Sequence, residues 1–297
     1  MAASRILIQL DCDPQPSTFD AVVAVDAGAE VLLRHGNVTP EAAVPLVHGA
    51  MFTRGGADLA STAIFVGGSD VAAAEAVFAR VRKTFFGPVR VSVLLDPAGA
   101  NTTASAAVVA AGRHLPLGEP AAAATLRAVV LGGTGPVGQR VARLLARKGV
   151  AVTVASRSLS RAAEVCGRIA AVVPDGRLEP VEATGAIAGG TPLATAIAAA
   201  DLIVAAGAAG ATLLDAAGRT LAGRARVLID LNAVPPAGID GISATDKARQ
   251  DGSAVVYGAL GVGGTKMKIH RAAIQRLFAA NDVCLDAEDL LAIGESL

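Results

Sequence analysis

The residues best placed to do chemistry are Gly133-Thr134-Gly135-Pro136-Val137-Gly138. They follow an apolar, strand-like run at 128–131 and open a helical pattern. A strand, a Gly-x-Gly-x-x-Gly turn and a helix in that order bind the pyrophosphate of a dinucleotide. Gly133 is expected to make the tight turn, Gly135 to let the phosphates approach the backbone, and Gly138 to bring the helix onto the sheet. Pro136 suits the first helical turn, where no N–H is needed. The free N–H groups and positive dipole end of the helix then face the phosphates. About 20 residues further on, NAD-binding chains carry an acid for the ribose hydroxyl. Here Ser156-Arg157 ends the next strand-like run. A hydroxyl and a planar guanidinium suit a 2′-phosphate, so NADP is the expected cofactor, with NAD second. Arg161 either assists or is a solvated helix charge.

The elements that position these groups read as alternating strands and helices. Val137, Val141, Leu144 and Leu145 recur at helical spacing, with Arg140, Arg143, Arg147 and Lys148 on the other side and Gly149 as a stop. Strands are expected at 6–10, 62–66, 89–95, 128–131, 150–155, 202–205, 226–230 and 255–257. Helices are expected at 71–85, capped by Ser69 or Asp70, and at about 265–280. This alternation implies parallel sheets. The fold class is α/β with two domains. A smaller N-terminal α/β parallel-sheet domain covers 1–115, with 272–297 packing back on it. A C-terminal Rossmann-type NAD(P)-binding domain covers 116–271. The Pro- and Gly-containing stretch 115–120 reads as a loop and a hinge.

Ligands of open parallel sheets lie beyond the carboxyl ends of the strands. That rule selects Gln9, Asp11, Asp13, Gly67, Gly68 and Asp96 in the first domain. In the second it selects the glycine turn, Ser156, Ala206-Gly207-Ala208, Asp230-Leu231-Asn232 and Gly258-Ala259. A substrate held between the domains would meet both sets.

Composition excludes several classes. The chain has 297 residues, 53% of them hydrophobic and 18% charged, which is globular and not disordered. Lys plus Arg equals Asp plus Glu, 26 each, and aromatics are 3% with no Trp, so neither a basic footprint nor a base-stacking platform supports nucleic-acid binding. Cys12, Cys166 and Cys284 are too far apart for a redox pair and fit a reducing cytoplasm. No His or Cys spacing resembles a metal site, so no metal is expected. The N-terminus does not read as a signal peptide, and Gly189, Gly190 and Pro192 interrupt the Ala/Gly-rich stretch 183–200, which does not read as a membrane span.

Longer strings carry a family resemblance. They include Asp11-Cys12-Asp13 with Pro16-Ser17-Thr18-Phe19-Asp20, His35-Gly36-Asn37-Val38-Thr39-Pro40, and Thr53-Arg54-Gly55-Gly56. Ser61-Thr62-Ala63-Ile64-Phe65-Val66-Gly67-Gly68, Phe85-Phe86-Gly87-Pro88 and Asn101-Thr102-Thr103-Ala104 follow. The glycine turn, Gly238-Ile239-Asp240-Gly241-Ile242, Gly258-Ala259-Leu260-Gly261 and Gly263-Gly264-Thr265-Lys266-Met267-Lys268-Ile269-His270-Arg271 complete the set. Over nearly its whole length the chain resembles the NAD(P)-dependent methylenetetrahydromethanopterin dehydrogenases of methylotrophic bacteria, a family that includes a member acting also on methylenetetrahydrofolate. The resemblance implies hydride transfer from the one-carbon bridge of a reduced pterin to the nicotinamide, giving the methenyl cation, in formaldehyde oxidation. It also implies a cytoplasmic homo-oligomer without metal or flavin, and maps the family's catalytic lysine onto Lys266. Cys12 departs from the threonine-like residue expected between the two acids.

Removing hydride from a carbon between two nitrogens needs orientation more than base catalysis, together with negative or dipolar groups near the forming cation. Asp13 and Asp20 are candidates for that role; each is equally read as a turn or cap residue. Asn101, Thr102 and Thr103 either hydrogen-bond the pterin or the carboxamide, or cap the helix that follows. Gln9 is a further pterin contact candidate. Lys266 is expected to orient the pterin through a hydrogen bond; Lys268 is either a substrate contact or a solvated helix charge. His270 is expected to pack or hydrogen-bond structurally. A shikimate dehydrogenase-like enzyme is the rival, yet its lysine–aspartate pair has no match where Lys83, on a helix beside Phe85, is the one lysine of the N-terminal domain. An NADP-binding sensor without chemistry is the second rival.

Overall fold

The computed structural model of the chain describes residues 3–184 and 189–297. Residues 185–188, inside the Ala/Gly-rich stretch considered as a membrane span, lie outside the described residues. Among the described residues no helix is long and apolar enough to cross a membrane. The chain divides into two units, Met1–Thr102 with Lys266–Leu297, and Thr103–Thr265. The sequence places those divisions at 115/116 and 271/272.

In chain order the first unit carries β1 (Ile6–Asp11), α1 (Thr18–Asp26), β2 (Val31–His35), α2 (Pro40–Phe52), β3 (Thr62–Gly67), α3 (Val71–Thr84) and β4 (Ser92–Leu95). Helix α4 (Ala100–Gly112) begins in this unit and ends in the second. The second unit continues with α5 (Pro120–Ala123), β5 (Arg127–Leu131), α6 (Pro136–Arg147), β6 (Ala151–Ser156), α7 (Leu159–Val172) and β7 (Leu178–Glu182). Then come α8 (Pro192–Ala199), β8 (Leu202–Ala205), α9 (Ala216–Leu221), β9 (Val227–Asp230), β10 (Arg249–Asp251) and β11 (Ala254–Tyr257). Helix α10 (Ala259–Leu277) returns to the first unit, which closes with β12 (Cys284–Leu285) and α11 (Ala287–Glu295).

The first sheet has the order β12-β4-β3-β1-β2, and its strand pairs are all parallel. Its central strand β3 is buried throughout, which is why 62–67 is a continuous apolar run. Under it lie Ile8, Leu10, Ile64, Val66 and Val93 of the sheet, with Val47 and Met51 of α2 and Val77, Phe78 and Val81 of α3. The register pairs Asp11 with Gly67 and Val66 with Leu95, so Asp11, Gly67 and Asp96 end their strands at one edge of the sheet. The strand expected over 89–95 shortens to β4, because Val89 pairs back onto Phe86 across Gly87-Pro88. The return of 266–297 adds a fifth strand to this sheet, and Asp286 caps α11 with a reciprocal capping box.

The second sheet has the order β10-β11-β9-β8-β5-β6-β7, parallel except for β10. The order reverses direction at β5, where the glycine turn lies. Helix α6 buries Val141, Leu144 and Leu145 as its spacing requires. Arg140, expected on the outer face, is buried as well, 4% exposed.

Candidate active site

The glycine turn of the second unit is built by close backbone approach. Gly132, one residue before the motif, carries the turn: its φ is +70°, and an added Cβ would lie 2.5 Å from the Cα of Gly207. This corrects the assignment of the tight turn to Gly133, whose role is steric, since its Cβ would meet Val154 Cγ1 at 2.7 Å. Gly138 keeps α6 against the strand end, 2.5 Å from an added Cβ to the carbonyl oxygen of Gly132. Gly135 precedes Pro136 as the cap of α6, with no side chain over the N-terminal N–H groups. Ala206 and Gly207 stand beside the turn, half-buried. This cradle fits a dinucleotide pyrophosphate. At the end of β6, Ser156 is buried and its hydroxyl is held by Thr134 Oγ1 at 3.2 Å and Ser158 N at 3.3 Å. Arg157 and Arg161 are exposed, and Ser158 caps α7. Asn232, read as a cofactor contact, is occupied with its own loop: its amide donates to Pro236 O and its carbonyl accepts from Val234 N.

In the first unit the strand ends and α10 surround a cavity of about 330 Å³. Asp11, Asp13, Ser17, Phe19, Asp20, Ala98, Gly99 and Lys266 are among its walls. Asp13 binds the β3–α3 loop, accepting from Ser69 N at 2.9 Å and Ser69 Oγ at 2.8 Å. Asp11 is buried and organises the β1–α1 loop, accepting from Asp13 N at 3.0 Å and Ser17 N at 3.1 Å. The Lys266 ammonium stands 5.1 Å from the centre of the Phe19 ring. It also lies against Gly99, where an added Cβ would be 2.5 Å from Nζ. Gly99 and Ala98 both have left-handed backbone, φ +62° and +52°. For alanine that conformation is strained, and it shapes the turn against which the lysine packs.

Asp20 is buried, and its carboxyl is pushed up from 3.8 to about 7. Desolvation is the main cause, followed by the Asp96 carboxylate; the Ser17 hydroxyl and Lys266 pull the other way. A carboxyl that titrates near neutrality inside a cavity is a mark of a functional site.

The structure places Lys266, Asp13 and Asp20 around this one cavity. Lys268 is exposed and not among the cavity walls, the solvated reading of the two. Asn101 is corrected from a catalytic to a structural role. It is fully buried, and its amide donates to Leu95 O at 2.7 Å and Asp286 Oδ1 at 3.0 Å. Thr102 is likewise tied down, its hydroxyl donating to Asp96 Oδ2 at 2.7 Å, while Thr103 is half-buried on α4. Gln9 is 2% exposed, bridges Asp11 to Arg34, and is not among the cavity walls. Sequence reasoning missed Phe19, Ala98 and Gly99 as parts of the site. The signal for Gly99 was the run Asp-Pro-Ala-Gly at a strand end, a turn composition.

A parallel-sheet unit with an acid–lysine cavity, joined to a glycine-turn nucleotide unit, defines the class of two-unit dinucleotide-dependent dehydrogenases. A family model described as the N-terminal region of methylene-tetrahydromethanopterin dehydrogenase matches residues 18–98. The chain is similar to the bifunctional protein MdtA of Methylorubrum extorquens, 41% identical over 99% of each chain. It is also similar to the NAD(P)-dependent methylenetetrahydromethanopterin dehydrogenase of that organism, 32% identical over 97% of this chain and 96% of that one. The chain therefore belongs to the methylenetetrahydromethanopterin dehydrogenase family. Among solved structures, quinate dehydrogenase from Corynebacterium glutamicum in complex with NAD shares the fold, with a TM-score of 0.53, 18% identity, and coverage of 99% of this chain and 100% of that one.

Proposed function

We propose that this protein is a dehydrogenase that takes a hydride from the one-carbon bridge of methylenetetrahydromethanopterin, with NADP as acceptor, in formaldehyde oxidation. The observation that carries the reading is the Lys266–Asp20–Asp13 cavity, in a chain related over its full length to an enzyme of that name. Methylenetetrahydrofolate is the second substrate to consider.

The bound nicotinamide supplies hydride-accepting chemistry. The chain's own residues do the rest. The glycine turn and the N-terminus of α6 hold the pyrophosphate, and Arg157 recognises the 2′-phosphate. Phe19, 51% exposed, offers a flat apolar wall for a planar ring. Lys266 donates a hydrogen bond that orients the pterin. Asp13 and Asp20 present negative charge to the developing cation, for which preorganised electrostatics are the main source of rate.

The cofactor and substrate assignments are tested by rates with both pterins and both nicotinamides. The expected order puts methylenetetrahydromethanopterin with NADP first. Equal rates with NAD would overturn the cofactor assignment, and no rate with either pterin would overturn the reaction.

A homo-oligomer is supported by a band of exposed apolar side chains: Val22 and Val25 of α1, Val31 and Leu33 of β2, and Phe52 of α2. β2 ends its sheet and carries no lysine, proline or bulge to guard the edge. Antiparallel pairing about a two-fold axis at Leu33 would set Leu33 against its own copy, Val31 against a second copy's His35, and Arg34 against a second copy's Leu32. No like charges face each other, so a second copy of the chain is the fitting occupant. The three free thiols support a reducing, cytoplasmic setting.

A further inference from the structure

His270 is fully buried on α10, and neither ring nitrogen has a hydrogen-bond partner. Among the described residues these are the two buried side-chain polar atoms left so. Buried polar atoms without partners are rare in folded chains and call for an explanation. The ring is wedged between aromatic neighbours, stacked on Phe65 with centroids 5.8 Å apart and 6.3 Å from the Phe19 ring. An apolar side chain of that size would fill the space without the desolvation cost. The nitrogen that has a polar neighbour points at the site: Nε2 lies 3.9 Å from Asp20 Oδ1. That is too long for a hydrogen bond, and an approach of about 1 Å would make one.

We propose that His270 is a positioning residue that shares one proton with Asp20 and takes it when positive charge forms on the substrate. The proposal rests on the dehydrogenase reading for the identity of that charge. Once the two groups close by about 1 Å, the Asp20 carboxyl keeps its proton on Oδ1 and donates a hydrogen bond to Nε2 of the neutral imidazole. As the cation forms, the Oδ1–H bond breaks and an Nε2–H bond forms, leaving a carboxylate toward the cavity and an imidazolium behind it. No proton enters or leaves the pair, and no electrons are exchanged. When the product departs, the proton returns.

The surroundings support a neutral resting couple. Burial holds the imidazole below its usual range, Lys266 adds to that, and Asp96 opposes it. Burial, Asp96 and Asp11 favour the protonated carboxyl, while Ser17 and Lys266 favour the charged one. The charged groups facing the couple thus come from the end of β1, the residue after β4, and α10. A group pair of this kind titrates as a unit and not as two separate residues.

Nitrogen-15 NMR of the full-length protein with labelled histidine tests the couple without substrate. The chain has four histidines, and His270→Phe assigns the signal. As pH rises through about 7, where Asp20 ionises, the pair gives one proton to solvent: the shared proton stays on Nε2 and Nδ1 loses its hydrogen. In the wild type, Nε2 of His270 is therefore expected to change from acceptor to protonated donor while Nδ1 changes the opposite way. In Asp20→Asn that inflection is expected to vanish. A wild-type signal without the inflection, or the same inflection in Asp20→Asn, overturns the proposal. In turnover, His270→Phe and His270→Gln are both expected to lower kcat about tenfold with KM within about twofold, since neither side chain accepts the proton. Full kcat in His270→Gln would show a hydrogen-bonding role only and overturn the transfer. An inflection without turnover on any pterin leaves the couple standing and overturns the reaction instead.

Discussion

Single residues set the chemistry, and Asp20 is the most informative. Its carboxyl is raised from 3.8 to about 7, so the native state binds the proton more tightly than the unfolded chain. Between those values the native state holds more protons, and stability falls as pH rises; above about 7 the loss is complete. Asp20→Asn removes this dependence. Its Tm is expected to match the wild type near pH 4 and to exceed it increasingly up to about pH 8. A gap that stays constant would show that Asp20 ionises normally. Arg157→Ala is expected to raise KM for NADP by about tenfold or more, the size of a charge-assisted hydrogen bond, while leaving NAD within about twofold. Equal losses would make Arg157 a plain strand-end charge. At this scale the sequence selected Lys266, Asp13 and Asp20, which line the cavity, and also Asn101, Gln9 and Asn232, whose side-chain amides are engaged within the protein. All six are polar; Gln9 lies in β1, Asp13 and Asn232 follow strands, and Asp20, Asn101 and Lys266 lie on helices. Residue type does not separate a side chain aimed at a ligand from one that ties its own turn. The difference lies in partners that only the fold supplies: Asp286 for Asn101, Arg34 for Gln9, and the neighbouring Pro236 for Asn232.

At the scale of elements, the β5–α6 turn shows how backbone approach fixes a binding cradle. Gly132→Ala meets both a left-handed φ and a clash with Gly207. Gly149, at the end of α6, has φ +87° but open space around it. Gly149→Ala should therefore cost about 1 kcal/mol of conformational strain, and Gly132→Ala clearly more, with loss of NADP affinity. Thermal unfolding with cofactor titration checks the order, and equal Tm losses would contradict the steric account. Long apolar runs such as 62–67 and the amphipathic 137–145 were legible because their period matches their element. β2 was not, since its apolar residues lie on an edge and show no alternation, and only four residues separate its end from the start of α2. β12, two residues long, gains its place from pairing with β4, a contact between positions about 190 apart in the chain.

For the whole molecule, the two-unit α/β organisation followed from alternating patterns, while the division points did not. They fall inside α4 and α10, helices whose sequence pattern runs through the boundary without a break. The exposed band around β2 belongs to this scale too. Leu33→Lys places a charge at the proposed two-fold axis and is expected to shift the protein to a smaller species in sedimentation while preserving its fold. An unchanged mass would place the oligomer contact elsewhere.

The central claim is that Lys266 and its neighbouring acids form the site where a reduced pterin gives up its hydride. The initial rate of NADP reduction with methylenetetrahydromethanopterin, measured side by side for the wild type and Lys266→Ala, tests it most directly. Turnover is expected of the wild type and a loss of about a hundredfold in kcat/KM of the variant, the cost of removing one oriented donor at the reacting group. Wild-type turnover retained in Lys266→Ala would contradict it.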